Sequence, residues 1–190
     1  MTLPTVKGID NAATRLKGII ETTPLKLSEQ LSERYQSKIF LKREDLQVVR
    51  SYKIRGAYNF ISRLSKADKD KGVVCASAGN HAQGVALSCF LLKIKGTVFM
   101  PKTTPAQKLM AVERIGKKYI EVILSGDTYD DAKHAALKYC HSTGKTFVSP
   151  FDHPLIMEGQ GTVAREVLEQ IGNKKIDYLF VPIGGGGLAA

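Results

Sequence analysis

The stretch Val73-Val74-Cys75-Ala76-Ser77-Ala78-Gly79-Asn80-His81-Ala82-Gln83-Gly84-Val85-Ala86-Leu87-Ser88-Cys89-Phe90-Leu91-Leu92 decides the fold class. Four apolar residues without polar alternation read as a strand buried on both faces. Small polar residues then break the run, and apolar positions resume at helical spacing from Asn80 to Leu92. The same alternation continues downstream. The strand Thr97–Met100 precedes a helix over Pro105–Arg114, and the strand Tyr119–Leu124 precedes a helix over Thr128–Tyr139. Thr146–Val148 reads as a strand and Leu155–Gln170 as a helix, followed by a buried strand Tyr178–Ile183. Upstream, the spacing of Ile9, Ala12 or Ala13, Leu16, and Ile19 or Ile20 predicts a helix ending near Gly18 to Ile20. A short helix capped by Ser28 runs to Tyr35, Ile39–Leu41 forms a strand, and a helix covers about Lys53–Leu64. Strands and helices taking turns at these lengths indicate βαβ units: an α/β chain with parallel-rich sheets and flanking helices.

Composition narrows the function classes. The 190 residues are 43% hydrophobic and 24% charged, as in an ordinary globular chain. No apolar run reaches the roughly 20 residues that cross a bilayer, and Met1-Thr2-Leu3-Pro4-Thr5 lacks a signal-peptide pattern. Cys75, Cys89 and Cys140 are widely spaced and read as reduced core residues of a cytoplasmic protein. The formal net charge is +10, from 28 Lys and Arg against 18 Asp and Glu. The lysines are scattered, with no basic run interleaved with aromatics, so nucleic acid is not the expected partner. His134, His141 and His153 lack metal-ligand spacing, and Asp152 and His153 before Pro154 read as turn formers.

Ligand sites in such sheets lie where strands hand over to helices, and three turns stand out. In Arg50-Ser51-Tyr52-Lys53-Ile54-Arg55-Gly56-Ala57, Lys53 opens a helix. Alone it reads as a surface lysine. Near other cations (Lys42, Arg43, Arg50 and Arg55 are close in sequence) or in an apolar pocket, its amine becomes a nucleophile for a carbonyl. Ser77-Ala78-Gly79-Asn80-His81 could bind a carboxylate at a helix N-terminus, although a helix simply capped by Asn80 or Ser77 fits the local pattern as well. Gly184-Gly185-Gly186-Gly187-Leu188 follows the run Tyr178–Ile183 and can turn several N–H groups on one phosphate. Its glycines do not meet the dinucleotide spacing, so a single phosphate fits better. The helix that such a loop should open is cut off at Ala190, which marks the chain as the expected front part of a longer protein.

Taken in order, these motifs resemble one family. Glu44 through Ala57 is similar to the pyridoxal-phosphate attachment signature of the serine and threonine dehydratases. Ser77–Gly84 resembles their substrate-carboxylate loop, and Val181–Leu188 their phosphate loop. Lys42–Asp45, Pro150–Pro154 and Gly159–Thr162 extend the resemblance over nearly the whole chain, most closely to biosynthetic threonine ammonia-lyases. It implies a two-lobed fold type II (tryptophan synthase β-like) enzyme with an incomplete large domain: residues 1–44 and 146–190 in the large domain, 45–145 in the small one. The crossing between lobes is expected around Thr143 to Pro150.

The resemblance also implies the chemistry. Lys53 would hold pyridoxal 5'-phosphate as an aldimine, Tyr52 would lie beside its ring, and Asn80 would bond its phenolic oxygen. Gly184, Gly185, Gly186, Gly187 and Leu188 would enclose its phosphate. Ser77, Ala78, Gly79, Asn80 and His81 would line the substrate carboxylate. The implied reaction is β-elimination and deamination of L-threonine, and of L-serine to some extent, to 2-oxobutanoate and ammonia, the first step towards isoleucine. The implied protein is a cytoplasmic homo-oligomer, dimer or tetramer, without membrane attachment. The partner of the pyridine nitrogen lies beyond Ala190, so the 190-residue chain alone is expected to be inactive, with a sticky strand edge at Tyr178–Ile183. Competing readings are a sibling enzyme (catabolic serine/threonine dehydratase, serine racemase or threonine synthase) and a non-catalytic basic binding module.

Overall fold

The computed structural model describes residues 3–190; Met1 and Thr2 of the expected 1–44 segment lie outside the described residues. Helix α1 (Val6–Leu16) starts where Thr5 Oγ1 accepts from Gly8 N–H at 3.0 Å. Strand β1 (Leu25–Leu27) pairs antiparallel with β2 (Phe40–Lys42), enclosing α2 (Glu29–Tyr35), which Ser28 caps through Leu31 N–H. Helices α3 (Lys53–Ser62) and α4 (Lys66–Lys71) then lead into the sheet.

That sheet has four parallel strands in the order β5-β4-β3-β6: β5 (Ile120–Leu124), β4 (Gly96–Met100), β3 (Val73–Ala76) and β6 (Thr146–Phe147). Between them run α5 (Asn80–Leu92), α6 (Ala106–Gly116) and α7 (Tyr129–Thr143). Every residue of β3 and β4 is buried, as in a parallel sheet covered on both faces. Successive side chains go to opposite faces. Val73 and Cys75 join Val85, Ala86, Cys89 and Val112 in one core, while Val74 and Ala76 meet Ala132 and Ala136 of α7 in another. A capping box of Thr128 and Asp131 starts α7, and Gly144 in left-handed geometry stops it. Finally α8 (Pro154–Ile171), capped by His153, returns across α3 and α1. Cys75, Cys89 and Cys140 are all free thiols, the first two fully buried.

The helix and strand alternation expected from sequence is therefore present from β3 to α8, with one clear correction. Tyr178–Ile183 is not a strand and is not buried: Tyr178 is 82% and Phe180 91% exposed. A strand needs a neighbour to take its N–H and C=O groups, and no strand among the described residues runs beside this one, so the expected sheet edge does not form. Two elements escaped the sequence reading. Strand β1 has only three residues, too few to show a period. Helix α4, Lys66-Ala67-Asp68-Lys69-Asp70-Lys71, carries no apolar stripe and rests on the Ser65 cap instead. No helix among the described residues is long and apolar enough to cross a membrane.

Candidate active site

Lys53 is the first residue of α3, and its side chain turns inward. Its Nζ donates to the Pro150 carbonyl at 2.8 Å and lies 5.4 Å from the Tyr52 ring centroid. No carboxylate among the described residues pairs with it. Burial lowers the pKa of this amine below the ordinary lysine value. Of the neighbouring cations, the other cause the sequence allowed, Lys42, Arg43 and Arg55 are occupied elsewhere, and Arg50 is not among the causes of the shift. Arg43 pairs with Asp45, Lys42 with Glu166, and the buried Arg55 with both Glu44 and Glu166. An apolar setting, not a cluster of like charges, makes Lys53 a candidate nucleophile. Helix α5 presses on the same point: a Cβ at Gly84 would lie 3.0 Å from the carbonyl carbon and oxygen of Lys53.

The β3–α5 turn brings the second motif to the same place. Ser77, Ala78 and Gly79 are half-buried and Asn80 is exposed at the first residue of α5. Neither Asn80 nor Ser77 caps the helix. Gly79 holds the cap position, and Ser77 Oγ instead accepts from Gly79 N–H at 3.1 Å. The helix N-terminus is thereby left without a side-chain cap, which suits it to an external carboxylate. His81 points the other way, buried, with Nε2 3.0 Å from the Val148 carbonyl. Burial, and to a smaller extent the nearby Lys53 charge, push its pKa down to about 4, so it is neutral near pH 7.

The glycine run closes the arrangement. Gly185 and Gly187 pack against Phe151, whereas Gly184 and Gly186 face open space. Gly186 adopts φ +85°, and its carbonyl accepts from Ala189 and Ala190 N–H at 2.9 and 3.0 Å, turning the chain as a helix start would. Leu188 is half-buried beside it. Sequence reasoning missed the residues that join these motifs. Val148, Pro150 and Phe151 respectively hold His81, Lys53 and the glycines, two of them through backbone carbonyls, a role that carries no side-chain signature. Ser51 Oγ is buried without a hydrogen-bond partner among the described residues, and so is free for a ligand.

A group with an aldehyde at one end and a phosphate at the other fits these residues: an acid-free amine, an orphan hydroxyl, and a glycine turn open on one side. Two hollows, of about 210 Å³ beside Lys95, Lys118 and Lys145 and about 370 Å³ beside Phe99 and Tyr139, are not lined by any of these residues. Among the described residues no cluster of His, Cys, Asp and Glu could hold a metal ion.

Known proteins agree with this geometry. The L-threonine dehydratase biosynthetic IlvA of Bacillus subtilis is 52% identical over 183 residues, 96% of this chain and 43% of that protein. Its counterpart in Halalkalibacterium halodurans is 53% identical over 96% of this chain and 44% of its own length. The chain thus spans under half the length of these curated relatives. Among solved structures, the processed form of threonine deaminase isoform 2 from Solanum lycopersicum superposes with a TM-score of 0.86 at 41% identity, covering 98% of this chain and 55% of that one. Maize serine racemase gives 0.92 at 33% identity, covering 99% and 56%. The family described as pyridoxal-phosphate dependent enzyme matches residues 16–190. With fold type II architecture, an acid-free half-buried lysine and a match over nearly its entire length, the chain belongs to the pyridoxal-phosphate dependent enzyme family.

Proposed function

We propose that the whole protein deaminates L-threonine to 2-oxobutanoate and ammonia, a step towards isoleucine, with L-serine as a lesser substrate. The observation that carries this reading is Lys53: half-buried, free of acid partners, and held on Pro150 beside a glycine turn, in a chain 52% identical to a biosynthetic threonine dehydratase. Pyridoxal phosphate, when bound, supplies an electron sink for the bonds at the substrate's Cα. The chain's own residues do the rest. Lys53 would hold the cofactor, and its amine, freed when substrate takes its place, would be tethered close enough to take the α-proton. The β-hydroxyl would leave with a proton as water, balancing the one taken from Cα, and hydrolysis of the resulting enamine would give 2-oxobutanoate and ammonia. Tyr52 would flank the cofactor ring and Asn80 would hold its phenolic oxygen. Amides of Gly184, Gly185, Gly186, Gly187 and Leu188 would hold the phosphate. Ser77, Ala78, Gly79, Asn80 and His81 line the substrate carboxylate, His81 remaining neutral and contributing backbone rather than charge.

The large domain, on this reading, comprises 1–44 and 146–190, and the small domain 45–145. Support comes from α8 packing back on α1, while the crossing strand Thr146–Phe147 still pairs with Val73–Val74. The protein works as a cytoplasmic homo-oligomer that binds neither nucleic acid nor membrane. The match to maize serine racemase favours a second reading, racemisation of serine, which product analysis on L-serine separates from deamination. The decisive experiment is Lys53→Ala in the whole protein. Both the absorbance of the lysine-linked cofactor and threonine deamination should vanish, and unchanged turnover refutes the assignment.

A further inference from the structure

We propose that Phe151 is a positioning residue that shapes the glycine turn for the cofactor's phosphate and sets its spacing from Lys53. The inference rests on the function proposed above and adds to it a residue outside the three motifs.

Four consecutive glycines are not equivalent here. A Cβ at Gly185 would land on the Phe151 ring, and one at Gly187 would lie 2.8 Å from the Phe151 carbonyl oxygen and 2.9 Å from its Cβ. A Cβ at Gly184 or Gly186 would meet nothing within 4 Å. The turn therefore has a back, moulded on Phe151, and an open front. Gly185 is glycine because the Phe151 ring sits behind it, Gly187 because the Phe151 backbone and Cβ do, and Gly186 because its φ is +85°. Phe151 in turn is fixed locally. Ser149 Oγ accepts from Phe151 N–H at 3.4 Å and Asp152 N–H at 3.0 Å, and His153 N–H donates to the Phe151 carbonyl at 3.2 Å as it caps α8.

The preceding residue carries the other half of the argument. Pro150 receives the Lys53 ammonium at 2.8 Å. Two adjacent residues thus hold the amine that meets the aldehyde and the turn that meets the phosphate. Their peptide link works as a spacer between the two ends of the site. If Phe151 acts on the turn, its loss should weaken a ligand that has a phosphate far more than the same ligand without one. A residue that only stabilised the fold would affect both equally.

The test compares pyridoxal phosphate with pyridoxal, which lacks the phosphate, as ligands of the whole protein, read by equilibrium dialysis and by borohydride trapping at Lys53. Phe151→Ala should raise the Kd of pyridoxal phosphate about tenfold or more and that of pyridoxal less than about threefold. Gly185→Ala alone should also weaken pyridoxal phosphate. Added to Phe151→Ala it should cost nothing further, because the new methyl enters the space the ring left. Should Phe151→Ala fail to fold, Phe151→Leu provides the same ratio. Equal loss of both ligands, unchanged binding of both, or additive losses in the double variant would each overturn the inference. Wild-type protein that is not trapped at Lys53 would instead sink the proposed function itself.

Discussion

Arg55 is fully buried and is two residues from Lys53, so its replacement tests how α3 is held. Its guanidinium makes five hydrogen bonds: two to the Glu44 carboxylate at 2.8 and 2.7 Å, two to Glu166 at 2.7 and 3.0 Å, and one to Thr162 Oγ1 at 3.0 Å. Arg55→Met keeps an unbranched apolar stem, shorter than arginine, but leaves two carboxylates, 13% and 14% exposed, short of their main partner. Lys42 still reaches Glu166, at 2.5 Å, which limits the loss. Breaking a buried pair by removing one partner costs about 3–5 kcal/mol. With a urea dependence of roughly 2 kcal/mol per molar, the unfolding midpoint should fall by ~1.5–2.5 M. The control is Lys66→Ala. The Lys66–Asp70 pair is exposed at both ends, and such pairs contribute about 0.3–0.5 kcal/mol, roughly one-tenth of that effect. The assay is urea unfolding followed by circular dichroism, urea being uncharged and therefore not screening the network. A change under about 1 kcal/mol, no larger than an exposed network warrants, would refute the claim that this cluster fastens α3 to α8.

The same network predicts acid sensitivity: burial raises the Glu166 pKa, but hydrogen bonds and charges from Arg55 and Lys42 outweigh this and hold it below the ordinary value. A depressed carboxyl stabilises the fold above its unfolded pKa and loses that contribution as pH falls through the folded value, so Glu166→Gln should flatten the stability profile below roughly pH 4. Neutral, buried His81 has the opposite protonation. Its contribution is full above its unfolded pKa near 6.5 and should fade as pH drops towards its folded value of about 4, a loss that His81→Gln removes in thermal unfolding between those limits. Gly84→Ala should reduce trapping of pyridoxal phosphate at Lys53 and lower stability by about 1–3 kcal/mol, since its methyl meets backbone atoms that cannot rotate away. A variant that binds cofactor as tightly as wild type would show that α5 does not set the position of Lys53.

Much of the architecture was legible in the chain because its causes are local. The runs at Val73–Ala76 and Thr97–Met100 and the caps at Ser28 and Thr128 each act within a few residues, and each sits where periodicity and capping rules place it, whereas α7 runs past its expected end at Tyr139 to Thr143. The three ligand motifs were legible for the same reason. Tyr178–Ile183 misled because composition marks a segment able to be a strand, while hydrogen bonding to a neighbour makes it one. What only the tertiary structure decided is long-range. Pro150 and Phe151 are about a hundred residues from Lys53 in sequence and touch it or the glycine turn largely through backbone, which no residue pattern announces. Likewise, which cations near Lys53 remain free depended on Glu166 arriving from α8 to pair with Arg55 and Lys42. Sequence alone determined the elements and the chemistry on offer. Folding lowered the pKa of Lys53, because desolvation belongs to positions in space.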